Sequence, residues 1–130
     1  MKYLLYLSFF NIIFLLIGCS NNIRKDEIVG KYIVEYPYGK EILTIKTDNK
    51  YEQRIIFNTG NSFQKNEGEW NIKDMKITFK HYKEIDNGFG KINYNVDTIS
   101  WMCTLPIRSI LGKVSILKNE DLGFTYEKQN

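Results

Sequence analysis

Over most of the chain from residue 31 to residue 126, apolar side chains return at every second position, in short runs broken by turn residues. A β-strand sends successive side chains to opposite faces, so this period describes half-buried strands and cannot build the stripe of an amphipathic helix. Residues 31–36 place Tyr32, Val34 and Tyr36 on one face, and Tyr36-Pro37-Tyr38-Gly39 turns the chain. Residues 41–47 place Leu43 and Ile45 together, and Asp48-Asn49-Lys50 is the next turn. Residues 51–57 align Tyr51, Gln53, Ile55 and Phe57. After a polar segment, 59–66, Gly68, Trp70 and Ile72 share a face, and Lys73-Asp74 reverses the chain. Met75, Ile77, Phe79 and His81 then read as one inward row, with a polar loop over 82–90. A strand over 91–103 follows, Pro106 interrupts it, and 108–117 forms another with Val114 and Ile116 facing in. Residues 119–123 turn the chain into a last strand carrying Phe124 and Tyr126.

About eight strands with such short connections must pair antiparallel, because a parallel pair needs a crossover of a dozen or more residues. The chain has no alanine, the best helix former, and 15% of it is aromatic, which agrees with an all-β domain. The expected architecture is an antiparallel up-and-down barrel or a strongly curved sheet, since closure removes exposed edges. A barrel of this size is filled by its own side chains or holds one small ligand. In the hollow form the pocket would lie near Tyr51, Gln53, Ile55, Trp70 and Phe79. Gln53 is the notable member. An inward amide needs a partner or costs about 1–3 kcal/mol, and an internal structural bond is the simplest one.

The N-terminus has a different composition. Met1-Lys2 is followed by a nearly unbroken apolar run over 3–17, short of the roughly 20 residues that span a bilayer but suited to a secretory leader. Leu16-Ile17-Gly18-Cys19 closes the run and resembles the lipobox of bacterial lipoproteins, with an aliphatic residue three before the cysteine and a small one next to it. The resemblance implies a signal peptide over 1–18, lipidation of Cys19 and a polar tether over 19–27, with the β domain from 28 to 130. Multiple acyl chains would hold the domain at the membrane without spanning it. Ser20 after the cysteine is similar to outer-membrane sorting if the host is Gram-negative.

Gly30-Lys31-Tyr32 and Gly68-Glu69-Trp70 each open an alternating strand with Gly-x-aromatic. Glycine permits close backbone approach at a bend, and the aromatic two residues on plugs the barrel end. Together with 30–53 and the closing 118–128, these residues resemble small bacterial lipoproteins with a lipocalin-like domain. The first copy carries Tyr32 where the wider group has tryptophan, and the chain is shorter, with no C-terminal helix. The resemblance implies mainly fold and location.

The chemical motifs are sparse. A net charge of +3, from 18 Lys+Arg against 15 Asp+Glu, is too even for a nucleic-acid partner. With Cys19 lipidated, Cys103 has no disulfide partner and reads as a small buried residue. One histidine, no CxxC and no HExxH give no transition-metal site, and Asp48, Glu84 and Asp86 lack calcium-loop spacing. There is no GxSxG and no P-loop, so no cofactor is expected. Glu35, Glu41, Glu52, Glu67 and Glu69 alternate with lysines and read as charges on outward strand faces, not as an acid/base pair. His81 reads as a structural strand-end residue. The expectation is a non-enzymatic, lipid-anchored cell-envelope protein that binds a small apolar ligand or an envelope protein. An inhibitor or immunity lipoprotein is the alternative, and an envelope hydrolase ranks last.

Overall fold

The computed structural model describes residues 22–37, 39–58, 63–83 and 99–130. The leader with Cys19, Tyr38, residues 59–62 and residues 84–98, which include the start of the expected 91–103 strand, lie outside them. Eight strands are present: β1 (Gly30–Tyr36), β2 (Gly39–Ile45), β3 (Lys50–Phe57), β4 (Phe63–Lys73), β5 (Lys76–Lys83), β6 (Ile99–Ile110), β7 (Lys113–Asn119) and β8 (Phe124–Lys128). Each runs antiparallel to the next, and β8 returns to β1, giving a closed up-and-down barrel consistent with a lipocalin-like one. Its interior holds the rows that the period-two pattern selects, including Tyr32, Val34 and Tyr36, Leu43 and Ile45, Tyr51 to Phe57, Ile77 and Phe79, and Val114 and Ile116.

The two Gly-x-aromatic segments lie at the same end. A one-turn helix, α1 (Lys25–Ile28), precedes β1 there, and Ile28 is buried beneath it. The Tyr32 hydroxyl donates to the Ile28 carbonyl at 2.7 Å. The Trp70 Nε1–H donates to the Lys46 carbonyl at 3.0 Å, under the β2–β3 turn. Each aromatic thus closes the α1 end by tying an incoming or turning segment to the core. Part of the expected 19–27 tether also touches the domain, because Ile23 packs against this cluster.

Four local readings need correction. First, β4 begins at Phe63, so residues 63–66 are strand and not loop, paired with Ile56 to Gln53 of β3. Second, β6 runs through Pro106. The Ile107 N–H donates to the Met75 carbonyl on the β5 side, so the position of the missing proline N–H points the other way. On that side the β6–β7 ladder extends only from Ile107 to Ile110, and no ladder bond is lost. Third, His81 takes φ of +58 and is exposed, while Tyr82 is fully buried. The left-handed step shifts the phase of the alternation by one residue. Fourth, Glu41 is fully buried and not on an outward face. The other four carboxylates are not among the buried charges, and Glu52, Glu67 and Glu69 pair with Lys65 or Lys80 across the surface.

Candidate functional site

The half of the barrel away from α1 is organised around Glu41, near the start of β2. Its Oε1 accepts hydrogen bonds from Gln53 Nε2 at 2.5 Å, from the Tyr82 hydroxyl at 3.1 Å and from the Tyr126 hydroxyl. Its Oε2 accepts from the Tyr36 hydroxyl at 3.1 Å and lies 3.7 Å from Lys118 Nζ. Lys118 reaches in from β7, with only 6% of its side chain exposed. It donates to the Tyr82 hydroxyl at 2.5 Å and sits 4.3 Å from the centre of the Tyr82 ring. The Tyr82 and Tyr126 hydroxyls are 2.6 Å apart. Burial, and then the nearby Glu41 charge, push both phenols well above their ordinary range, so they remain protonated donors. Every hydrogen-bonding group named here points at Glu41 or at another member of the cluster. Among the described residues, no buried side-chain nitrogen or oxygen lacks a partner.

Below this cluster the barrel wall is partly made by side chains. The β4–β5 ladder covers only Trp70–Lys73 against Lys76–Phe79, so the upper part of β5 has no ladder partner on β4. Gln53 takes that place. Its Nε2 donates to the Lys83 carbonyl at 2.7 Å, and its Oε1 accepts from the Lys83 N–H at 3.1 Å. The amide thus makes the reciprocal pair that a neighbouring strand would make. The Tyr51 hydroxyl donates to the Lys80 carbonyl at 2.9 Å, and Asn66 Nδ2 donates to the His81 carbonyl at 2.5 Å. Gly68 makes this reach possible. A Cβ there would fall on the Lys80 carbonyl oxygen and the Tyr51 ring.

The five expected pocket residues are therefore brought together, but in contact with one another. Tyr51, Gln53 and Ile55 follow each other on the inner face of β3, and Trp70 pairs with Phe79 across β4 and β5. The Tyr51 and Phe79 rings meet edge to face at 4.9 Å, and Phe79 stacks on Tyr82 at 5.4 Å. The four apolar members belong to one buried cluster. An open cleft of about 250 Å³ lies at the surface over Tyr51 and Gly68, rimmed by Lys46, Lys50, Glu67 and Glu69. Cys103 is buried on β6. Among the described residues, no group of three or more His, Cys, Asp and Glu is placed to hold a metal.

Sequence reasoning finds Gln53 but misses the other members of the cluster. Glu41 shares parity with Leu43 and Ile45, and Lys118 shares parity with Val114 and Ile116, so both inward positions carry a readable signal. Tyr82 carries none, because the His81 backbone step displaces it. No family model, no curated protein and no solved structure matches the chain.

Proposed function

We propose that this chain is a lipid-anchored cell-envelope lipoprotein of binding type that engages an envelope protein through its outer surface. The observation that supports this most is the Glu41 cluster. The polar groups that could grip a guest inside the barrel are bonded to one another, and Gln53 is spent on the Lys83 backbone. An inhibitor or immunity lipoprotein is one form of the same reading. The binding surface lies outside the barrel, and the chain acts without catalysis.

Two experiments test the two parts. For the filled interior, Gln53→Leu is expected to lower stability by about 1–3 kcal/mol, because Lys83 and Asn66 lose partners inside the wall. Urea unfolding of the mature chain measures this, and an apolar fluorescent probe is expected to show no saturable binding. A variant as stable as the parent, with probe uptake abolished by added bulk at Ile55 or Phe57, would sink the filled-barrel reading and favour an internal ligand. For the anchor, Cys19→Ala is expected to abolish labelling by a fatty-acid probe and release the domain from the membrane fraction. Normal labelling and pelleting of the variant would refute lipidation at Cys19.

A further inference from the structure

The β6–β7 hairpin ends in Ile110-Leu111-Gly112-Lys113, and its tip is apolar and bare. Leu111 is 100% exposed and Ile110 58% exposed. The tip stands clear of the barrel. The β5–β6 ladder reaches only Pro106, the β7–β8 ladder only Ser115, and beyond them β6 and β7 pair with each other alone. The backbone at the tip is also unfavourable for leucine. Leu111 and Gly112 have φ of +50 and +78, the pattern of a two-residue turn that favours Asn-Gly. Leucine has a Cβ that opposes left-handed φ and no side-chain group to compensate for it. A large apolar residue therefore occupies a position where both solvent and backbone disfavour it.

The topology gives this tip a neighbour. Odd-numbered strands start at the α1 end, so the turn before β7 lies at the same end as α1. Three residue steps separate Cys19 from Asn22, the first described residue, and they span at most about 11 Å. A lipid on Cys19 would hold this end against the bilayer. On α1 the exposed Asp26 and Glu27 pair with Arg24, and next to the tip the charge is basic. Arg108 and Lys113 flank the tip with no acidic residue between them, and the adjoining β4–β5 turn carries Lys73 and Lys76 around Asp74.

We propose that Ile110 and Leu111 insert into the interfacial layer of the membrane while the flanking basic residues face anionic headgroups, fixing the orientation of the barrel on its anchor. The inference rests on the reading of Cys19 as lipidated. An apolar tip with basic flanks is the chemistry of an interfacial contact, and a second contact beside a lipid converts a swivelling tether into a seated domain.

The test uses the full chain, matured in cells and reconstituted into vesicles of phosphatidylethanolamine with one-third phosphatidylglycerol. An environment-sensitive fluorophore is attached at Leu111→Cys in a Cys103→Ala background, with a sister label at Leu122→Cys at the opposite end. The label at 111 is expected to shift to the blue and to be quenched by a quencher on the lipid tails, while that at 122 stays water-like. Leu111→Asn in the otherwise natural chain suits the turn and so should fold. It is expected to speed transfer to acceptor vesicles by about tenfold, the loss of one buried leucine. A water-like label at 111 on vesicle-bound protein, or an unchanged transfer rate, overturns the proposal. The mass of the same preparation reads the anchor separately. An unlipidated chain whose 111 label still shifts on vesicles would discard the anchor and keep the tip.

Discussion

Replacing Glu41 with leucine is expected to lower stability by about 3–5 kcal/mol, the cost of breaking a buried ion pair by removing one partner. Lys118 would be left inside the barrel without its counter-charge. The hydroxyls of Tyr36, Tyr82 and Tyr126 would lose their shared acceptor, as would Gln53 Nε2. A domain of this size has only about 5–15 kcal/mol in total, so the variant would stand near the edge of folding. Glu41→Gln keeps the shape and one acceptor oxygen, and should lose less. The informative comparison is Glu41→Leu with Lys118→Met. If the pair is the hub, the double variant loses clearly less than the two single losses added together, because neither charge is then stranded. Chemical denaturation of the four proteins measures this. A Glu41→Leu change below about 1 kcal/mol would mean that the carboxylate does not organise the cluster.

The period-two rows carried the barrel because closure demands that each strand bury one face, and most of those faces are plainly apolar. What it could not carry is polar chemistry on the inner face. Parity places Glu41 and Lys118 on inner faces, but a buried charge is credible only once its partner is known, and here the partners sit on β2 and β7, far apart along the chain. The same blindness made residues 63–66 look like a loop. Asn66 is polar there because it closes the gap between β4 and β5 at the His81 carbonyl. His81 departs from the pattern for a different reason. Periodicity assumes extended backbone at each step, and one left-handed residue is enough to exchange the faces beyond it. Gln53 was legible as an anomaly, but its role depended on a missing ladder that only the register of β4 and β5 reveals.

Trp70→Ala is the second large loss, expected at about 3–5 kcal/mol, the usual cost of emptying a buried tryptophan site. The indole is 3% exposed. Removing it opens a void beside Phe79 at the α1 end and leaves the Lys46 carbonyl without its donor. The Trp70 N–H bond to the Asn49 carbonyl, at 2.8 Å, would remain and limit how far the β2–β3 turn can collapse into the void. Poor collapse puts the cost toward the upper end of that range. Lys76→Ala, on the outward face of the adjoining strand, should change stability by less than about 0.5 kcal/mol. Thermal or urea unfolding of the two variants against the parent decides the matter, and equal effects would mean that the β4–β5 register is wrong. Because Trp70 and Glu41 lie in opposite halves of the barrel and share no bonding partner among the described residues, their losses should add when combined. Additivity of that kind would separate two supports that the closed sheet joins: an aromatic plug at the α1 end, and a charged hub at the other.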